Sequence, residues 1–106
     1  MNNKLRIVVL AAGKGTRMDS DFPKVLHKLN NKPLLDYVLD ESELLNPLES
    51  ILIVGFKKDQ VISHTENRAN LKYVTQKEQL GTGHAVLQTE ELLKNEKGHI
   101  LILYGD

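Results

Sequence analysis

Residues 5–18, LRIVVLAAGKGTRM, run from a nearly unbroken apolar stretch straight into a glycine-rich loop. Leu5 to Ala12 is β-branched at its middle and carries almost no polar residue, the pattern of a strand covered on both faces. Such a strand belongs at the centre of a parallel sheet. The loop behind it extends to Lys24 and Val25, long enough to suggest a binding loop rather than a simple connection.

Working outward, SILIV (Ser50–Val54), LKYVT (Leu71–Thr75) and HILIL (His99–Leu103) predict three further strands. Between them lie three helical patterns. Pro33 can open the first at its first turn, with Leu34, Leu35, Val38, Leu39 and Leu45 inward and Asn46-Pro47 as its stop. Asp59 is placed to cap the second, whose inner face is Val61, Ile62 and Thr65. The third follows a second glycine-rich turn and turns Ala85, Val86, Thr89, Leu92 and Leu93 inward. Strand and helix alternate throughout, which predicts an α/β fold: a parallel sheet of about four strands layered by helices and joined by right-handed crossovers.

The 106 residues are 41% apolar and 26% charged, the composition of an ordinary globular domain, and the formal net charge is zero. A neutral balance offers no bulk attraction to nucleic acid or to an anionic membrane, so an acidic substrate needs a local basic site. The absence of cysteine removes disulfides, thiolate metal sites and cysteine nucleophiles together. The apolar run near the start is too short to span a bilayer and passes directly into the loop motif; a cytoplasmic protein without a signal peptide is the expectation.

The first loop has the chemistry of a phosphate grip. Gly13 and Gly15 remove side chains where backbone must approach phosphate oxygens or turn at positive φ. Arg17 offers a planar fork of donors, Lys24 a compact mobile charge, and Pro23 stiffens the approach to that lysine. Neither the P-loop spacing nor the third glycine of the dinucleotide fingerprint is present, and a GxG after a strand is by itself equally consistent with a plain turn.

In the second loop, QKEQLGTGHAV (76–86), Gln76 can donate and accept as reading a pyrimidine edge requires, and Gly81 leaves room for a flat base. Thr82 can contribute a hydroxyl or simply cap the helix that follows. His84 is read as structural or solvated rather than as an acid or base, and His27, His64 and His99 are too scattered to suggest a zinc site. Asp106 follows the fourth strand and a glycine. Alone, an aspartate there is most often a turn residue, yet the carboxyl ends of parallel strands are where ligands bind, and a carboxylate suits magnesium.

LAAGKGTRM (10–18), followed by SDFPKVLHKLNNKPLLDYVL (20–39) and by QxxxxGTGHAV, resembles the opening of the bacterial UDP-N-acetylglucosamine pyrophosphorylases, within the wider sugar nucleotidyltransferases. The resemblance covers essentially the whole chain and implies a Rossmann-like three-layer sandwich, of which residues 1–106 are the N-terminal nucleotide-binding portion. It implies that Leu10, Ala11, Ala12 and Gly13 lie beside nucleotide and sugar, and that Gly15 and Thr16 belong to the phosphate loop. Arg17 is then the arginine at the outer phosphates and Lys24 the lysine that steadies the phosphates through the transition state. Gln76, Gly81 and Thr82 read uracil, and Asp106 binds the catalytic Mg2+.

The implied reaction transfers a uridylyl group from UTP to N-acetylglucosamine 1-phosphate and releases pyrophosphate. The family's catalytic domain is roughly twice this long; its further metal-binding asparagine and its sugar-contacting residues lie downstream. The expectation is therefore a truncated domain, completed by a missing C-terminal segment or by oligomerisation, with neither nucleic acid nor membrane as partner. Two alternatives remain: a non-catalytic or partner-completed nucleotide-binding module, and a nucleotidyltransferase for another sugar 1-phosphate.

Overall fold

The computed structural model describes residues 5–13, 22–76 and 98–106. Its main sheet has four parallel strands: β1 (Leu5–Ala11), β4 (Glu49–Val54), β5 (Leu71–Thr75) and β6 (His99–Tyr104), in the order β5-β4-β1-β6. Successive strands step outward from β1 to β4 to β5, and β6 then lies on the other side of β1. The strand order thus reverses at β1. The registers Ala11↔Val54, Val54↔Thr75 and Leu10↔Tyr104 bring the carboxyl ends of all four strands level.

β1 is hydrogen-bonded on both edges and covered on both faces, which is why its sequence does not alternate: Ile7, Val8 and Val9 are all fully buried. β4 is the same, with Ile51 to Val54 at 0% exposure. Ile7, Val9, Ala11, Leu52 and Val54 pack with Leu35 and Leu39 of α1 (Leu34–Glu43) and Val61 of α2 (Lys58–Thr65) into the larger core cluster. Val8, Ala12, Ile51 and Ile53 form a smaller cluster on the opposite face. On β6, by contrast, Ile100, Leu101, Ile102 and Tyr104 are exposed.

All four strands lie where the periodicity predicts them, as do the inward residues Leu35, Leu39, Val61 and Thr65. The helix ends differ. Pro33 stands immediately before α1 rather than inside its first turn, with φ −57° and ψ 143°. α1 closes at Glu43 through Leu44 N–H to Glu41 O and Leu45 N–H to Ser42 O, and Asn46 turns left-handed at φ 52°. That early closure swings Leu45, expected inward, out to 46% exposure. Asp59 does not cap α2: Lys57 holds the cap position in the left-handed region at φ 53°, without a side-chain cap, and Asp59 falls in the first turn, where its charge favours the helix N-terminus.

Beyond the sequence expectations lie a 3-10 turn at Lys24–Leu26 and a hairpin with a two-residue turn between β2 (Lys28–Leu29) and β3 (Lys32–Pro33). Asn30 and Asn31 both have positive φ, 54° and 65°, the requirement of a type I′ turn, and asparagine tolerates that region best after glycine. The third helix expected over Ala85 to Leu93 lies outside the described residues.

Polar side chains then lock these elements from outside. Thr65 Oγ1 bonds Val61 O at 2.9 Å and the Tyr73 hydroxyl at 2.7 Å, tying α2 to β5. Arg68 bridges Asp36, Asp40 and Glu43 along α1, and these hydrogen bonds hold its pKa above the ordinary value against the opposing effect of burial. At the amino end of the sheet Glu49 joins Lys72 at 2.8 Å and Arg6 at 2.9 Å, so β4 is clamped to both neighbours.

Candidate functional site

Several predicted site residues meet at the carboxyl rim of the sheet. Leu10 and Ala11 end β1 and Ala12 and Gly13 follow it, and backbone bonds tie the neighbouring strand ends to Leu10 and Ala12. Gly105 N–H donates to Leu10 O at 2.9 Å and Phe56 N–H to Ala12 O at 3.2 Å. Gln76 follows β5 directly, its amide bonded to Val54 O at 2.7 Å, and only 4% of its surface is exposed.

Gly13 is informative for what does not surround it. Its φ is not in the left-handed region, and a Cβ built there would meet no atom within 4 Å. Among the described residues neither backbone strain nor packing demands glycine at this point, and its bare backbone leaves room for a close approach.

Lys24 begins a single 3-10 turn, Lys24–Leu26, closed by Leu26 N–H to Pro23 O and His27 N–H to Lys24 O, each 3.0 Å. Val25 and Leu26 are 4% and 5% exposed and anchor that turn in the larger core cluster. The lysine's backbone is thus pinned while its side chain reaches over the rim, where Nζ lies 2.8 Å from Asp106 Oδ2. The pair is partly open to solvent, at 46% and 26% side-chain exposure.

Asp106 is delivered by a residue that sequence reasoning passed over. A Cβ on Gly105 would lie 3.0 Å from Leu10 O, 3.2 Å from Val25 Cγ1 and 3.2 Å from Leu35 Cδ1. A larger residue there would force β1, the lysine turn or α1 to give by a few tenths of an ångström where the chain leaves β6. The signal available in sequence was its place between an apolar strand and the candidate ligand.

The described histidines do not converge. His64 pairs with Asp36 at 3.0 Å on the helical face, and His99 begins β6 at the far end of the sheet. His27 follows the lysine turn with its ring edge-on to Phe22 at 5.3 Å, and its Nε2 is buried without a hydrogen-bond partner among the described residues. Among the described residues no three His, Cys, Asp or Glu side chains cluster as a metal cage. A lone rim carboxylate is nevertheless what Mg2+ asks of a protein when phosphates supply other ligands, since it binds one or two carboxylates and keeps waters. Asp106 fits that donor role. Gly15, Thr16, Arg17, Gly81 and Thr82 lie outside the described residues. Among the described residues no helix is long and apolar enough to cross a membrane.

A parallel sheet that reverses its order at β1, with helices packed on it, defines a Rossmann-like fold, and Lys24 and Asp106 meet at its carboxyl rim. The profile of the MobA-like NTP transferase domain matches residues 7–106, and the chain belongs to that family. It is 47% identical over 102 residues to the bifunctional protein GlmU of Acaryochloris marina and 50% identical over 103 residues to that of Idiomarina loihiensis. Those alignments take in 96% and 97% of this chain and 22% of each relative, so the chain spans about a fifth of the length of these proteins. The resemblance read from the motifs is borne out.

Among solved structures, HddC from Yersinia pseudotuberculosis complexed with GMP-PN superposes with a TM-score of 0.79 at 26% identity, over 95% of this chain and 47% of that one. The CTP:phosphocholine cytidylyltransferase LicC of Streptococcus pneumoniae gives 0.81 at 24% identity, over 97% and 45%. A UDP-glucose pyrophosphorylase complexed with UDP-glucose gives 0.80 at 23%, over 98% and 46%; these last two speak to the fold alone.

Proposed function

We propose that this chain carries the nucleotide half of a sugar-1-phosphate nucleotidyltransferase site, and that the protein to which it belongs transfers a uridylyl group from UTP to N-acetylglucosamine 1-phosphate. The observation that carries the reading is the pairing of Lys24 with Asp106 at 2.8 Å at the reversal point of the sheet, where Gly13 follows the carboxyl end of β1. The choice of uridine and of the acetylated sugar rests on the 44–50% identity to GlmU proteins, because the fold itself is shared by proteins with guanosine, cytidine and uridine ligands.

In this reading a phosphate oxygen of the sugar 1-phosphate attacks the α-phosphorus of UTP, and the bond from that phosphorus to the oxygen bridging to the β-phosphate breaks. Pyrophosphate leaves with the electron pair. Leu10 to Gly13 with Gly15 and Thr16 admit the nucleotide against bare backbone, and Gln76, Gly81 and Thr82 recognise the uracil edge. Arg17 takes the outer phosphates, and Lys24 offsets charge building on the transferring group, which with in-line positioning is most of what phosphoryl transfer asks of a protein. Asp106 would hold Mg2+, which supplies charge neutralisation and orientation of the phosphate oxygens when bound. No covalent protein nucleophile enters. The charged substrates are confined solutes of the cytoplasm, where we place the reaction.

The span of about a fifth of the GlmU relatives supports a second reading, in which this segment binds nucleotide and depends on residues outside it for the sugar and for turnover. A residue-resolved amide titration of the chain with UTP and Mg2+ tests the common core of both. Shifts concentrated at Gly13, Lys24, Gln76 and Asp106 are expected; a spectrum that does not respond to UTP overturns it. Pyrophosphate release from UTP and N-acetylglucosamine 1-phosphate then separates the two readings, and preference of the full-length parent for a non-acetylated sugar 1-phosphate would sink the substrate assignment.

A further inference from the structure

The functional reading gives Lys24 and Asp106 to different ligands, one to the triphosphate and the other to the metal ion, yet the structure has them holding each other at 2.8 Å. We propose that this pair is an exchange latch: neither side chain is available to its ligand until the other is released, so that nucleotide and divalent metal bind cooperatively and each binds more weakly alone. The inference rests on the functional reading of the rim and adds to it the control of that rim.

The geometry supports exchange by side chains alone. The Lys24 backbone is pinned by the turn bonded at Pro23 and His27 and by buried Val25 and Leu26, and Asp106 follows directly on Gly105, which is held by its amide on Leu10 O and by close packing. The side chains themselves are 46% and 26% exposed, and an ion pair open to water is weak enough to be traded for better partners.

Charge then decides the order. A phosphate that takes Lys24 without metal leaves Asp106 unpaired and facing an anion. A divalent cation that takes Asp106 without nucleotide leaves Lys24 unpaired and facing a cation. When both arrive, each freed charge gains an opposite partner and the cost of opening the pair is met once instead of twice. Linkage makes the effect reciprocal. Its size is that of a partly exposed ion pair, about two- to fivefold in affinity. Metal-free nucleotide and free metal are both disfavoured by the same contact.

A double-mutant cycle reads this directly, using the chain, Lys24→Met, Asp106→Asn and the double variant, each titrated with UTP in EDTA and followed at the amides of Gly13 and Gln76. Removing Asp106 also removes plain repulsion of the anion, and the Lys24→Met background isolates that contribution. A latch predicts that Asp106→Asn tightens metal-free UTP binding by about two- to fivefold more when Lys24 is present than when it is absent. Equal gain in both backgrounds, or no gain where Lys24 is present, overturns the latch while leaving the functional reading in place. No response to UTP in any chain, with or without Mg2+, overturns both. Amide dispersion reports folding of each variant, and Lys24→Gln replaces Lys24→Met in the cycle should the latter lose it.

Discussion

Replacing Gly105 by alanine adds one methyl group at the most crowded point of the rim. The new Cβ would sit 3.0 Å from Leu10 O, about 0.3–0.6 Å inside an ordinary C···O contact of ~3.3–3.6 Å. That oxygen cannot retreat easily, because it belongs to the central strand and accepts the Gly105 amide itself at 2.9 Å. The two carbon contacts at 3.2 Å are to Val25 and Leu35, which are 4% and 0% exposed and fixed by the larger core cluster. Overpacking of this kind costs about 1–3 kcal/mol. Gly105 is not in the left-handed region, so alanine also narrows the unfolded ensemble and recovers about 0.4–1 kcal/mol. The net expectation is a loss of about 0–2.6 kcal/mol, equivalent to a fall of up to roughly 20 °C in Tm for a domain of this size. The displaced segment carries Asp106, so Mg2+-dependent UTP shifts at the Lys24 amide should weaken as well. Thermal unfolding followed by circular dichroism measures the first effect and amide titration the second. A Gly105→Ala chain with a raised Tm would refute the crowding argument, since only the unfolded-state gain would then be visible.

Gly13→Ala is the contrasting case: with open space around the Cβ, Tm should stay level or rise by up to the equivalent of about 1 kcal/mol while UTP binding falls, and joint loss of both would show that Gly13 serves packing. Leu39→Ala should cost about 2–5 kcal/mol in urea unfolding because Leu39 is 1% exposed, whereas Leu45→Ala, at 46% exposure, should fall within about 0.5 kcal/mol of the parent; similar costs would contradict the early closure of α1. Acid should also loosen the sheet. The Lys72 hydrogen bond, helped by Arg6, holds Glu49 below its ordinary pKa of 4.5 against the opposing effect of burial. Lys32, helped by Arg68, holds Asp40 below 3.8 in the same way. Carboxylates with depressed folded-state values stabilise fully above their ordinary values, and the contribution disappears as pH falls through the folded ones. Stability should therefore drop below about pH 4.5, less steeply in a Glu49→Gln, Asp40→Asn variant, and identical acid profiles would exclude these pairs as the cause.

Much of the architecture was legible because burial leaves a periodic trace. β1 and β4 lack alternation since both their faces are covered, and the stripes of α1 and α2 follow from packing one face on the sheet. Element ends were less legible, because they depend on local choices among similar residues. Asn46 and Lys57 each adopt left-handed backbone at a helix boundary, and that displaced Leu45 from the core and Asp59 from the cap. The Asn30-Asn31 turn carried its own signal, two residues tolerant of positive φ, but strands of two residues leave too short a pattern to recognise.

The residue types of the site belong to the sequence: bare backbone at Gly13, a pinned lysine behind Pro23, a carboxylate after a strand. Their assembly does not. Lys24 meets Asp106 because the fourth parallel strand returns to the free side of β1 instead of extending the sheet beyond β5, and periodicity is the same for either order. Gly105 matters only because that order presses β6 against Leu10, Val25 and Leu35, residues remote in sequence. Local chemistry is written residue by residue, whereas strand order is set by how whole elements best cover one another, and the contact between the two charges exists only once that packing is complete.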